Sequence, residues 1–439
     1  TSTDFDGKFT LQDVADDAVL VVTYIGYTTQ EVSVNGRANV DIVLISSSQT
    51  LDQVVVTALG VSRDKKSLGY AVEEIDGAAL NEVVQENVLN GLSGRVSGVT
   101  INSSGGSATS SVSMIIRGAS SLTGDNQPLF VIDGVPVSNS FSGNTRQVGD
   151  RNVVDYGNAI SDLNPADIEN VSILKGAGAA ALYGSRAGNG VVLITTKTGK
   201  KNQGMKVSLN TSAVFDQPYQ YLKKHSLFAT GVTPFTSAQW QDLTGGPLVI
   251  DEGSAARLGP QLDIGQTAIQ WNSPLDANGD PIPLPLVSHP DNVKNFVQTG
   301  ITNTNNIAIS GGGANSSFRV SYTNMNNRGI VPNSDMYRNS LNVSGTYEIN
   351  PKLSFSTNVN VGRSNSNSIP ANNRGTNPLE WAYGLSSHVD IMDLRDYWVE
   401  GQTDIQQKQV PDHNNPWFLA YEVKNAFTRD RVFGNANVD

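Results

Sequence analysis

Cysteine is absent from this sequence, which removes disulfides, thiolate catalysis and cysteine-built zinc sites and leaves the redox compartment open. Histidine is scarce, and His225, His289, His388 and His413 lie far apart without metal-ligand spacing. No apolar run reaches the roughly 18 residues a transmembrane helix needs, although barrel strands, shorter and only half apolar, escape that criterion. Positive charge is in deficit: 30 Lys and Arg against 41 Asp and Glu give a net charge of −11. The phosphate-tracking surface that drives nucleic-acid binding is therefore not supported. No G-x-S-x-G elbow is present. The chain is read as a non-enzyme, without catalytic set, metal or cofactor.

What is present is 439 residues, 38% of them hydrophobic, enough for several packed domains. The sequence opens at Thr1 with neither a charged nor an apolar leader region, so it is expected to begin after a removed signal or inside a longer precursor. Strand-forming runs at Val19 to Tyr24, Glu31 to Val34 and Val40 to Leu44 suggest a small β-domain, and the polar Ser46 to Gln49 follows as a linker. The β-prone segment Leu51 to Gly60 then fits two uses. It is either an ordinary edge strand or an extended segment able to add a strand to another protein's sheet.

Farther along, Leu80, Val84, Val88, Leu92 and Val96 recur at every fourth position, which predicts one or two helices between Ala78 and Val96. Asn164, Pro165 and Asp167 supply an N-cap, a proline at the first helical position and an acid near the positive dipole end, leading into a strand at Val171 to Leu174. Gly176 to Ala181 imitates a dinucleotide fingerprint, but no acid follows until Asp216. Asp276 to Asp280 alternates oxygen ligands as a calcium loop does, yet Val287 stands where the closing glutamate is required, so a turn is expected.

After Lys201 the pattern becomes long and alternating. Leu353, Phe355, Val359 and Val361 alternate with Ser354, Asn358 and Asn360; Leu341, Val343 and Tyr347 alternate with Asn342, Ser344 and Glu348. Phe318, Val320 and Tyr322 face away from Arg319, Ser321 and Thr323, and Val207 to Phe215, Ile307 to Ile309 and Phe427 to Asn437 complete six candidates. Their connections alternate between short and very long, which counts against a soluble sandwich and suits a membrane barrel. Six strands cannot close around an interior domain, so the sequence is expected to be part of a longer chain.

Five motifs occur in order: Ile115 to Gly118, Pro128 to Pro136, Ile168 to Gly176, Ala181 to Arg186 and Gly190 to Lys197. Together they resemble the plug domain of TonB-dependent outer-membrane transporters of the SusC-like branch of Bacteroidota, closely over roughly residues 1 to 200. The resemblance implies a mainly β protein. Residues 1–45 would be the latter part of a carboxypeptidase-regulatory-like β-sandwich, 46–60 a linker with a TonB-box-like segment and 61–200 a mixed α/β plug. Residues 201–439 would be the first strands of a transmembrane antiparallel β-barrel of about 22 strands.

By the same resemblance Asp52, Gln53, Val54, Val55, Val56 and Thr57 would pair with TonB, although an acid often stands where Gln53 does. Arg117, Gly118, Asp133, Gly134, Glu169, Lys175, Gly176, Tyr183, Gly184 and Arg186 would form the structural plug motif. Ion pairs from Arg117, Glu169, Lys175 and Arg186 are expected to hold plug to barrel. Implied partners are TonB energised by ExbB and ExbD, a SusD-like surface lipoprotein acting as a lid, outer-membrane lipid and further outer-membrane subunits. The implied activity is import of an oligosaccharide or oligopeptide across a Gram-negative outer membrane, with the N-terminal domain periplasmic. A scaffold role in a secretion or assembly complex, and signalling through the N-terminal domain, stay open beside it. Trp271, Trp381, Trp398 and Trp417, with Tyr383, Tyr397 and Tyr421, fall mostly in the long connections, suited to stacking on ligand, to an interfacial girdle or to partner contacts.

Overall fold

A computed structural model describes residues 3, 7–12, 14–23, 27, 29–44, 54–56, 62–64, 71–82, 85–103, 110–122, 126–139, 154–176, 183–231, 246–253, 259–372, 375–399, 401–402, 404–406, 410–411 and 413–438. The chain divides into two compact units, Thr1–Thr57 with Val61–Leu68, and Ala58–Gly60 with Gly69–Asp439.

In the first unit β1 (Val19–Val22) pairs antiparallel with β2 (Gln30–Ser33), and β3 (Val54–Val56) pairs antiparallel with β4 (Ser62–Asp64). Residues 40–44, expected as a strand, are described but form no ladder. Strand composition alone does not make a strand without a neighbour to receive its backbone hydrogen bonds.

The second unit begins with β5 (Ala71–Asp76), α1 (Gly77–Asn81), β6 (Val99–Ser103), β7 (Val112–Ile116), β8 (Leu129–Ile132), β9 (Val135–Val137), β10 (Ile168–Lys175) and β11 (Val191–Thr196). A five-stranded sheet has the order β5-β10-β11-β8-β9, antiparallel except where β11 runs parallel to β8; β6 and β7 form a separate hairpin. Asp133 and Gly134, with φ of 47° and 84°, make the tight turn between β8 and β9. The helical stripe is shorter than its period predicts. Leu80, Val88, Leu92 and Val96 are all buried and Val84 lies outside the described residues; among those described, the helix ends at Asn81 and a 3-10 turn at Asn90–Leu92 follows. The Asn87 side chain accepts from Leu89 N at 3.1 Å, and local side-chain bonding of this kind competes with helix continuation. The helix-initiating residues behave as expected: Asn164 accepts from Ala166 N and the 3-10 turn Pro165–Asp167 runs straight into β10.

Six long strands then form an antiparallel meander: β12 (Lys206–Asp216), and, after the short pair β13 (Thr267–Ala268) and β14 (Leu284–Pro285) and α2 (Asn292–Phe296), β15 (Gly300–Gly312), β16 (Ser316–Arg328), β17 (Asp335–Asn350), β18 (Leu353–Ser366) and, after α3 (Pro378–Gly384) and α4 (Pro416–Glu422), β19 (Phe427–Val438). All six candidate strands are present. The sheet is inverted relative to a soluble one: Val207, Ile309, Val320, Val343 and Val359 are exposed, whereas Asn306, Arg319, Ser321, Asn342 and Asn358 are buried. The buried polar face turns toward the five-stranded domain, and the apolar face is left for a non-aqueous surround.

The two long connections pack against each other. Phe296, Leu385, Ile391, Leu394 and Trp417 share one buried cluster, and Ala229, Leu248, Ile250 and Leu286 belong to a second. Trp417 packs edge-on against Phe296 with ring centroids 4.9 Å apart, so it belongs to this core. Tyr397, Trp398, Phe418 and Tyr421 cluster beside it, and burial followed by the Glu422 contact pushes the Tyr397 hydroxyl up to about 12.

Candidate functional site

The seam between the five-stranded domain and the inner face of β15 to β19 is built from four carboxylates. Asp167 ends the 3-10 turn capped by Asn164, which aims its side chain at the sheet. Arg319 Nη2 lies 2.7 Å from Asp167 Oδ1, Ser321 Oγ donates to the same oxygen at 2.6 Å, and both partners of the ion pair are nearly inaccessible. Asp162, in the preceding 3-10 turn Ala159–Asp162, receives Arg429 Nη2 at 2.7 Å and Ser364 Oγ at 3.0 Å. Arg431 Nη1 stands 3.3 Å from Asp162 Oδ2, close enough for charge attraction but out of hydrogen-bond alignment.

The other two carboxylates meet neutral donors. Glu86 Oε1 accepts from Thr302 Oγ1 at 2.5 Å and from Asn327 Nδ2 at 2.8 Å, while Arg338 Nη1 donates to the Glu86 backbone carbonyl at 3.2 Å. Burial pushes the Glu86 carboxyl above its usual range, against the pull of Thr302. Asp133 accepts from Thr196 N at 2.8 Å, Thr196 Oγ1 at 3.0 Å and Asn358 Nδ2 at 3.0 Å, and Asn435 Nδ2 donates to its backbone carbonyl. Its carboxyl too is raised by burial, with Thr196 opposing.

No cluster of three or more His, Asp or Glu able to hold a metal occurs among the described residues. Ser386 Oγ sits 2.8 Å from His388 Nδ1, and His388 Nε2 is 3.3 Å from Glu252 Oε1, superficially a nucleophile chain. All three residues are buried, and Glu252 Oε1 also accepts from Trp271 N at 2.6 Å. The chain fastens one long connection to the other and offers a substrate no approach. Asp276 Oδ1 accepts from Asn278 N and Asp280 N with Gly279 at φ 88°, so this segment is a turn.

A polar body docked on the polar inner face of an inverted sheet is the arrangement of a plugged barrel, and the sequence comparisons agree. Residues 64–191 match the family described as TonB-dependent Receptor Plug Domain, and residues 1–56 match the CarboxypepD_reg-like domain. SusC, a TonB-dependent receptor of Bacteroides thetaiotaomicron, is 30% identical over 452 residues, covering 100% of this chain and 40% of its own length. The chain is similar to the SusC-like TonB-dependent receptors, as an N-terminal portion carrying their plug and CarboxypepD_reg-like domains. A TonB-dependent receptor from Formosa agariphila is 33% identical over 357 residues, which cover 81% of this chain and 29% of the relative. Among solved structures, the RagAB peptide importer in its open-open state matches with a TM-score of 0.59 at 21% identity, covering 88% of this chain and 40% of that one, a likeness of fold. Both sequence relatives are TonB-dependent receptors rather than enzymes.

Within the plug, the expected motif residues fall into separate groups. Lys175 pairs with Glu73 and donates to Ser97 O at 2.6 Å; burial acts upward on Glu73, but these bonds together hold it below its usual range. Arg117 (φ 59°) and Gly118 (φ 92°) turn the chain after β7, and a side chain on Gly176 (φ 102°) would meet Arg117 Nη1 at 3.0 Å. Tyr183 packs against the cluster containing Leu174 and Val191, and Gly184 (φ 71°) opens the 3-10 turn carrying the exposed Arg186. Glu169 is exposed on β10. The expectation that Arg117, Glu169, Lys175 and Arg186 bind plug to barrel is thus corrected. Lys175 is bound inside the plug, Arg117, Glu169 and Arg186 are exposed, and among the described residues the ion pairs across the seam come from Asp162 and Asp167. Of these seam residues, Asp133 alone stood among the expected motif positions. Of the TonB-box-like segment, Val54, Val55 and Val56 form β3, while Asp52, Gln53 and Thr57 lie outside the described residues.

Proposed function

We propose that the protein takes part in TonB-dependent import of an oligosaccharide or oligopeptide across the outer membrane of a Gram-negative bacterium. The observation that carries this reading is the plug seated on a polar, ion-paired barrel wall whose outer face is apolar. A transporter needs such a seam: strong enough to keep the pore shut, and hydrogen-bonded rather than apolar, so that a pulled plug meets water without exposing a dry core. Asp52 to Thr57 is the segment TonB would grasp, energised by ExbB and ExbD. In the structure β3 already carries a ladder with β4, so capture uses its other edge or replaces β4. The division proposed is sandwich 1–45, linker and box 46–60, plug 61–200 and barrel strands 201–439, with the sandwich in the periplasm. The packed long connections would receive a SusD-like lipoprotein lid.

The test is energised uptake by full-length protein carrying Val55→Pro, which removes one backbone donor and disfavours a ladder. Uptake should fall to the level of a strain without TonB; undiminished uptake would reject the segment. Mass spectrometry of the gently purified complex checks the rest. A near-stoichiometric SusD-like lipoprotein is expected, and stoichiometric secretion or assembly components in its place would overturn import.

A further inference from the structure

The register of the six-stranded sheet reveals a sharp boundary on its outer face. Leu209, Ile307, Tyr322, Leu341, Val361 and Val432 are successive cross-strand partners, an apolar row through every strand. The next outward row, two residues nearer the long connections, is Thr211, Asn305, Asn324, Asn339, Arg363 and Asp430. Every position changes from apolar or aromatic to polar at one step. The row beyond is Ala213, Asn303, Asn326, Tyr337, Asn365 and Thr428, polar at four of its six positions.

Depth explains where this row can lie. From Leu353 to Arg363, at ~3.3 Å rise per residue and ~40° strand tilt, the climb is about 25 Å, the height of the apolar band of an outer-membrane barrel. On β17 and β18 the polar row therefore sits where hydrocarbon ends on the side of the long connections, which in such barrels is the cell exterior. The polar groups are also organised. Asn324 Nδ2 and Tyr322 Oη both donate to Asn339 Oδ1 at 2.8 Å, and Asn326 Nδ2 donates to Asn324 Oδ1 at 3.0 Å.

The charges of this surface lie on β16, β18 and β19. Arg363 is held bidentate by Asp430 at 2.5 and 2.8 Å, a self-neutralised pair. Arg328, exposed on β16, donates only to Thr299 O at 3.4 Å and pairs with no carboxylate among the described residues. Its ladder partner Asp335 is engaged by Ser366, Asn367 and Ser368 instead. Arg328 stands four residues beyond the polar row, about 10 Å farther out at ~3.3 Å rise and ~40° tilt, and an unpaired guanidinium at that headgroup level is complementary to a phosphate. The adjoining carboxamides match sugar hydroxyls, and the half-exposed Tyr322 and Tyr337 rings offer flat faces to a sugar.

We infer that the outward cluster of Tyr322, Asn324, Asn326, Arg328, Tyr337 and Asn339 binds the phosphorylated saccharide headgroup of an outer-leaflet glycolipid. The site faces away from the pore, so a soluble sugar in transit does not reach it; the inference rests on the reading of the chain as an outer-membrane barrel. Fixing a glycolipid there would anchor the wall at the level of the long connections.

Full-length protein is extracted gently from outer membranes, and retained glycolipid is quantified by native mass spectrometry for wild type, Arg328→Gln and the pair Asn324→Leu with Asn339→Leu. Each variant should lose at least threefold of the retained phosphorylated glycolipid. Uptake should be unchanged, and heat-modifiable gel mobility should report an intact barrel. Wild type reloaded with glycolipid lacking its phosphates should retain it as poorly as Arg328→Gln does. Unchanged retention in a folded variant overturns the proposal, as does full competition by the free phosphosugar, which would mark a soluble-ligand site. A changed oligomeric state with retention intact overturns it too, because the face would then be a protein contact. Absence of the protein from outer-membrane fractions would instead defeat the underlying reading of an outer-membrane importer.

Discussion

The plug is held by two kinds of carboxylate, and they answer differently to perturbation. Asp162 and Asp167 meet guanidinium groups from β19 and β16, whereas the side chains of Glu86 and Asp133 meet hydroxyl, amide and carboxamide donors only. A buried ion pair punishes removal of one partner, because the survivor stays buried without compensation. A carboxyl among neutral donors has another option: it can take up a proton and remain docked. One half of the seam is rigid in its chemistry and the other is adjustable.

Removing one member of an ion pair breaks this contrast most strongly. Arg319→Ala should lower plug stability by about 3–5 kcal/mol, read from urea-induced release of the plug in detergent. The double variant Arg319→Met with Asp167→Leu should recover most of that loss, since no unpaired charge remains. If the double variant were as weak as the single, the seam would depend on the attraction itself rather than on avoiding an orphaned charge. On the neutral side, Asn358→Ala removes donors to both Asp133 and Thr196 and should cost about 1–3 kcal/mol in the same assay.

Acid sharpens the comparison with a smaller effect. The Glu86 carboxyl is raised above its ordinary value of 4.5, so between that value and the raised one the docked plug binds more protons than the released chain. Docking free energy from this group is therefore fully present below 4.5 and is lost as pH rises through the raised value. Wild-type plug retention should strengthen as pH falls through this window. Glu86→Gln keeps an oxygen for Thr302 and Asn327, which both use Oε1, and should flatten the profile without weakening docking at neutral pH. A profile unchanged by Glu86→Gln would remove Glu86 from the adjustable half.

The inverted sheet was legible because an apolar outer face and a polar face toward the plug impose period two, and Phe318, Val320 and Tyr322 against Arg319, Ser321 and Thr323 state it directly. The cap at Asn164 was legible for a local reason, since its partner Ala166 N is two residues away. The seam was not, because its partners are remote: Asp167 and Arg319 are separated by 152 positions. A signal was nonetheless present. Arg319, Arg338, Arg429 and Arg431 occupy the inward face of β16, β17 and β19, and a cation on that face requires a counter-charge from whatever fills the barrel. The motif residues misled because several serve the turn geometry of the plug, as Arg117, Gly118 and Gly176 do with positive φ.

The smallest expected effect tests that last distinction. Arg186 lies exposed on a 3-10 turn, and Arg117 is exposed beside Gly176. Arg186→Ala should leave plug release unchanged within error, and so should Arg117→Ala, because neither removes a partner from a buried charge. Gly176→Ala should weaken the plug in either background, since a φ of 102° strains any residue with a Cβ. In the Arg117→Ala background the loss should be smaller, because the 3.0 Å approach of the guanidinium to the new methyl is gone. Equal losses in the two backgrounds would show that backbone strain alone fixes glycine there. A large loss from Arg117→Ala alone would mean that this arginine holds the plug after all and that the ion-paired half of the seam extends beyond Asp162 and Asp167.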